Sequence, residues 1–436
     1  MGKVTDYKVV DAKMKELGIT DLTKTSIREI TGLADALEKE TGQRYIRMEL
    51  GVPGIPIADL AIEAETKALK AGVGSIYPNI NGIPELKNEA SRFLKLFLDI
   101  DIKPQNCVPC VGSMQGGFAT FLTLTRFKKG KDTILFLDPG FPVHKQQAKV
   151  MGAPFKAFDV YSYRGEKLRA KLEEYLSAGD IACLLYSNPN NPSWICFTEE
   201  ELQIIAELAK KYDVVVVEDL AYFGMDFRED FSIPGQPPYP PTIARYTNDY
   251  VLLISSSKLF SYAGQRIGFI AMSNTLSDKH SDDLLRYYNW TSLSRCLIYG
   301  SLYALSSGTT HSVQYGFAAM LKAANDGTHN FIKDVREYGE KAKIMKQIFL
   351  DNGFEIVYNK DGDTPIADGF YFTLSYPGMG GHELLRNLLC YGISAIGLYI
   401  TGSERTEGLR ACVSKVNRNQ FDDLKSRAEA FHKDFS

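Results

Sequence analysis

The sequence predicts an α/β fold: a large domain on a mostly parallel sheet covered by helices, with a smaller α+β domain beside it. Three observations carry that prediction. Short apolar runs alternate with amphipathic helical stretches through the middle of the chain. The run Val214 to Val217 is apolar without interruption, as strands covered on both faces are. Each run also ends in polar or proline-containing residues, where an open α/β sheet gathers its ligand-binding loops.

The strand-like runs are DTILFLDP (132–139), ACLLYSNP (182–189), YDVVVVEDLAY (212–222) and DYVLLISSSK (249–258). TEEELQIIAELAKKY (198–212) reads as a helix. Thr198 with Glu201 makes a capping box, and Leu202, Ile205, Ala206, Leu208 and Ala209 follow at helical spacing. FSIPGQPPYPPTIARYTND (231–249) is dense in proline and is expected to form an extended surface loop beside the site. A long helical region over about 311–352 leads to GFEIVYN, GFYFTLSYP and GLRACVS, three strand-like segments in an α+β pattern. The expected division is an N-terminal arm with part of the small domain (1–60), a large cofactor-binding domain (61–310) and a C-terminal small domain (311–436).

Composition narrows the function classes. With 436 residues, 44% hydrophobic and 24% charged, the chain can bury a large core. A formal net charge of -3 and the lack of a basic run argue against a nucleic-acid partner. No apolar stretch is long enough to span a bilayer, and the first residues alternate charged and apolar, unlike a secretory leader. Seven scattered cysteines suit reduced thiols and a cytoplasmic setting. Cys107 and Cys110 have CxxC spacing, but no second pair or histidine cluster completes a metal site, so both are expected in the core.

The strand ends carry the chemistry. Lys258 closes the run SSSK; at the end of a buried strand, desolvation and a nearby cation would help it lose its proton. A neutral amine attacks aldehydes to form a Schiff base. Ser255, Ser256 and Ser257 precede it and Arg266 follows, and hydroxyls with a guanidinium make a phosphate receptor. The set suits a phosphorylated aldehyde, with pyridoxal 5'-phosphate as the candidate cofactor. That ring needs an acid at its nitrogen, and Asp219 is placed for it, whereas Glu218 points to the other face of its strand. Tyr222 could meet the ring oxygen, Phe141 of DPGFP could stack on the ring, and the turn VGSMQGG could supply helix-start amides to the phosphate.

In that order, these residues resemble the fold-type I, class I/II pyridoxal-phosphate aminotransferases of the aspartate aminotransferase superfamily, over about residues 45 to 425. The motif SxSK…GxRxG is carried by Ser255, Ser257, Lys258, Gly264, Arg266 and Gly268. The resemblance implies a seven-stranded sheet, a Schiff-base role for Lys258, and ring contacts from Asp219 and Tyr222. It also implies that Lys258 shuttles a proton between the substrate Cα and the cofactor's C4′. Ser113 and Met114 match the phosphate turn, and Asn191 in NPNNP matches the asparagine at the ring oxygen and substrate carboxylate. Arg410 in EGLRACVS matches the arginine that clamps the carboxylate, and Gly51 the glycine that lets substrate approach. Tyr77 opens YPNINGIPELK and matches a tyrosine that reaches the neighbouring subunit's phosphate, which implies a homodimer with shared sites. Where the family has Thr-Gly after its Asn-Pro motif, this chain has Ser193-Trp194.

The expected activity is transfer of an amino group between an L-amino acid and a 2-oxo acid by ping-pong chemistry. A C–S β-lyase on the same residues is the alternative, and a binding protein without turnover is the reading from another class. Arg286, Arg295 and Arg28 are candidate side-chain receptors, and Tyr287, Tyr288 and Trp290 candidate aromatic ones; ordinary helix charges and packing are the plainer readings.

Overall fold

The structure is a computed structural model that describes residues 2–436. The central sheet holds seven strands: β1 (Cys107–Cys110), β2 (Thr133–Asp138), β3 (Phe155–Asp159), β4 (Ile181–Ser187), β5 (Val215–Leu220), β6 (Tyr250–Ser255) and β7 (Gly268–Met272). Their order across the sheet is β1-β7-β6-β5-β4-β2-β3. Every pairing is parallel except the two made by β7, so one strand runs against six. The four apolar runs of the sequence are β2, β4, β5 and β6, each buried along its whole length.

Strand periodicity divides the core in two. Leu184, Val216 and Leu252 pack into one cluster, while Cys183, Leu185, Val217 and Leu253 pack into the other. Helices cover both faces, which is why these strands lack polar alternation. Helix Glu199–Lys211 has the capping box read from its sequence, with Thr198 and Glu201 bonding reciprocally. Glu201 does a second job, since Arg164 pairs with it in the interior at 2.6 Å.

A second sheet is wholly antiparallel: β8 (Glu355–Ile356), β9 (Tyr371–Ser375), β10 (Ile396–Gly397) and β11 (Leu409–Cys412), in the order β10-β11-β9-β8. The start of the chain joins this end of the molecule. Ile46–Arg47 pairs in parallel with Ile393–Ser394, and the Val4 N–H donates to the Cys390 carbonyl at 2.8 Å.

The stretch 311–352 is two helices rather than one, His311–Asn325 and Phe331–Leu350. Gly327 takes a φ of 68°, and the Asn330 side chain caps the second helix through the Lys333 N–H. The proline-dense segment is mostly exposed or half-buried and is tied to the sheet at two points: the Thr242 hydroxyl donates to buried Glu218 at 2.6 Å, and the Pro241 carbonyl accepts from Asn188 at 3.3 Å. Cys107 and Cys110 are free, buried thiols in the edge strand β1, and burial pushes both up to about 12. No group of metal-binding side chains occurs among the described residues. No helix is long and apolar enough to cross a membrane among them.

Candidate active site

The ends of β4, β5 and β6 meet β9 and β11 of the second sheet around a cavity of about 380 Å³, a volume suited to a small molecule. Its lining brings together Gly51, Ser113, Met114, Phe141, Asn191, Asp219, Tyr222, Ser255, Ser257, Lys258, Arg266 and Arg410. Tyr77 is not among them; its ring is 90% exposed on the surface of the chain. Three cations (Lys258, Arg266 and Arg410) face one carboxylate, Asp219, in this lining. That imbalance favours a ligand with more than one negative group.

One end is built for an anion. Helix Gly112–Leu124 starts without a side-chain cap, so its first amides are open to a ligand. Gly112 has a φ of 70°, and a Cβ there would lie 2.5 Å from the Arg266 Nη2, so glycine lets the guanidinium approach the helix start. Arg266 itself is held at a φ of 51°, an unfavourable conformation for a side chain of its size. A Cβ on Gly268 would meet the Ile254 carbonyl oxygen at 2.4 Å, so the return strand also depends on glycine. Of the three serines, Ser255 and Ser257 line the cavity, whereas Ser256 donates to the Ile267 carbonyl at 2.6 Å and turns inward.

Lys258 lies in the middle of this arrangement and donates to the Gly51 carbonyl. Its amine is held down at about 8, chiefly by burial, with the positive charges of Arg410 and Arg266 acting in the same direction. Asp219, at the end of β5, is buried and accepts from the Ala221 N–H at 3.1 Å. Its other oxygen lies 3.2 Å from the His144 Nε2. His144 was missed by sequence reasoning; it follows Phe141 by one helical turn, and that spacing in DPGFPVH was the only signal. The Phe141 ring meets the His144 ring edge-on at 5.9 Å, so the stacking candidate and the aspartate's partner brace each other.

Arg410 on β11 forms the third part of the site. Its Nη1 donates to Asn191 Oδ1 at 3.3 Å and its Nη2 to the Glu49 carbonyl at 2.8 Å. Its Nε has no protein partner though buried, which leaves a donor for a ligand. Tyr371 was also missed in the sequence. Its ring lies 4.5 Å from the Arg410 guanidinium, and its hydroxyl accepts from the Tyr222 hydroxyl at 2.9 Å.

Trp194 sits behind the two tyrosines rather than in the cavity, with its ring 5.3 Å from Tyr222 and 6.1 Å from Tyr371. It adopts a φ of 65°, the left-handed conformation glycine takes freely, so the turn after Pro192 persists with a bulky side chain. Gly369 supplies the room: a Cβ there would lie 2.1 Å from the indole.

The candidate side-chain receptors do not line this cavity. Arg286 donates to the Asp283 carbonyl at 2.9 Å, and Arg295 lies over the Trp290 ring. Tyr288 and Trp290 pack on the sheet's second core cluster. Arg28 is exposed, though its neighbour Ile27 reaches the cavity with Leu50 and Val52.

Comparison with known proteins follows the same lines. The family model "Aminotransferase class I and II" matches residues 51–424. A probable aspartate aminotransferase of Methanocaldococcus jannaschii is 25% identical over 351 residues, covering 75% of this chain and 86% of that protein. The aspartate aminotransferase of Thermotoga maritima shares the fold with a TM-score of 0.74 at 18% identity, covering 97% of this chain and 99% of that one. An alanine aminotransferase from Pyrococcus furiosus superposes with a TM-score of 0.75 at 18% identity, over 94% of this chain and 98% of the other. The chain therefore belongs to the class I and II aminotransferase family, the fold-type I enzymes that work with pyridoxal phosphate.

Proposed function

We propose that this aminotransferase binds pyridoxal 5'-phosphate and moves an amino group from an L-amino acid to a 2-oxo acid in two half-reactions. One observation carries the reading: Lys258, an amine held near neutrality, lies in a cavity that also presents two separate anion receptors. Arg266 with the Gly112 turn suits a phosphate, and Arg410 with Asn191 suits a carboxylate.

The residues fit the cofactor. Ser113, Met114, Ser255, Ser257 and Arg266 would hold its phosphate, Phe141 its ring face, Asp219 its ring nitrogen, and Tyr222 with Asn191 its ring oxygen. When bound, pyridoxal phosphate supplies an electron-withdrawing pyridinium ring that makes the substrate Cα–H acidic. Asp219 keeps the proton on the ring nitrogen, and His144 fixes the orientation of that carboxylate. Arg410 orients the substrate by its carboxylate, and Gly51 leaves space at its Cα. Lys258 Nζ, an amine held at about 8, would be the base that moves the substrate's Cα proton.

The assembly we infer is a homodimer. Tyr77 does not line its own cavity and is 90% exposed, as a residue serving a neighbour's phosphate would be. Ile76 is 59% exposed beside it, and Tyr303 and Leu305 are further exposed apolar side chains. The division at about residues 60 and 310 is part of this proposal, supported by the two separate sheets. A cytoplasmic setting is supported by seven free, buried cysteines.

The lyase reading is not favoured, because the proteins matched are named as aminotransferases. A panel of amino donors and 2-oxo acceptors on the purified holoenzyme tests the choice. Product that forms only when both are present supports transfer; ammonia released from a sulfur amino acid without an acceptor would support the lyase.

A further inference from the structure

Tyr371 was absent from the residues read off the sequence, yet it occupies a junction. Its hydroxyl is 2.9 Å from that of Tyr222, and a Cβ on Gly51 would come within 2.5 Å of it. The Gly51 carbonyl in turn accepts from Lys258. One phenol thus touches both the ring-oxygen partner and the backbone that holds the lysine.

That phenol is fixed from three sides. Arg410 lies on its ring at 4.5 Å, Phe370 lies 5.0 Å away, and Trp194 closes the back at 6.1 Å. The left-handed turn at Trp194 and the missing Cβ of Gly369 place the indole there, and Gly369 is two residues before Tyr371. Tyr371 is 2% exposed, so its hydroxyl has little freedom to leave the site.

We infer that Tyr371 is a positioning residue of the reaction, acting through Tyr222 as the second link of a two-phenol relay to the cofactor's ring oxygen. The inference rests on the cofactor reading above. Burial pushes Tyr371 up to about 12 and raises Tyr222 well above its ordinary value, so both keep their protons at neutral pH. Two protons and one hydrogen bond leave one O–H free to turn, because hydroxyl protons rotate to suit their partners. An ionised ring oxygen accepts more strongly than a neutral phenol, so it draws the Tyr222 O–H to itself. Tyr371 then donates to the oxygen Tyr222 presents on its other side. Bonds in such a chain polarise one another, so the second donor strengthens the first.

The bound cofactor's absorption band reads this out, since a hydrogen bond to the ionised ring oxygen favours that form and lowers the pH of its titration. In Tyr371→Phe, which removes one oxygen atom, the midpoint is expected to rise by about half a pH unit. In a Tyr222→Phe background the same change is expected to move nothing. An unmoved or lowered midpoint in Tyr371→Phe overturns the relay, and so does an equal shift without Tyr222. Absence of any Lys258-dependent band in the unsubstituted protein is a different result and removes the cofactor reading itself.

Discussion

Arg410 Nη1 donates to Asn191 Oδ1 across 3.3 Å, tying β11 of the small sheet to the loop that leaves β4 of the large one. Both side chains are buried, and the Glu49 carbonyl holds the second arm of the guanidinium at 2.8 Å. The proposed carboxylate receptor is therefore aligned by the fold before any substrate arrives, which would lower the ordering cost of binding.

Arg410→Ala removes a charged donor pair from that receptor, an interaction of about 1.5–3 kcal/mol. The Michaelis constants for amino and oxo acid are expected to rise roughly 10- to 100-fold in steady-state assays. Arg410→Lys should recover only part of the loss, because an ammonium lacks the planar fork. Unchanged constants in Arg410→Ala would refute the clamp.

Lys258 titrates at about 8 because its burial disfavours the ammonium form. Only the neutral amine attacks an aldehyde. Cofactor-free protein should therefore capture pyridoxal phosphate faster as pH rises through about 8, with a plateau above it. Stopped-flow absorbance measures this directly. A rate still climbing towards pH 10, the range of an ordinary lysine, would contradict the lowered value.

Asp219→Ala takes away the carboxylate proposed to meet the ring nitrogen and leaves His144 without its 3.2 Å partner. Turnover is expected to fall by roughly two to four orders of magnitude, the range of a lost proton-handling group. Capture of the cofactor by Lys258 should persist, as borohydride reduction would show. Full turnover in this variant would remove Asp219 from its role.

Gly369→Ala would place a methyl 2.1 Å from the Trp194 indole. Overpacking of this kind costs about 1–3 kcal/mol and should lower the denaturation midpoint. The same substitution should cost much less beside Trp194→Gly, where the indole is gone. Equal losses in both backgrounds would show that the two positions are not coupled.

Much of the large sheet was legible because β2, β4, β5 and β6 are buried on both faces and read as unbroken apolar runs. Residues at their ends share one cavity because parallel strands deliver their loops to one edge, so Asp219 and Lys258 could be singled out by position, whereas Asn191 came from the family motif. His144 and Tyr371 could not. Each is brought to the site by tertiary packing, and a histidine on a helix or a tyrosine on a strand is ordinary in sequence. The turn at Trp194 was illegible for another reason: its φ of 65° belongs to glycine by propensity, and only the space beside Gly369 accommodates the ring. The break at Asp326 to Asn330 combines Gly327 at a φ of 68° with the capping Asn330, short local signals between two stretches of helical spacing.

Covalent capture at Lys258 tests the central claim most directly. Protein incubated with pyridoxal phosphate, reduced with borohydride and mapped by peptide mass should carry the cofactor on Lys258, and Lys258→Ala should lose both the label and amino transfer. A label fixed on another lysine, or transfer that survives in Lys258→Ala, would contradict the account.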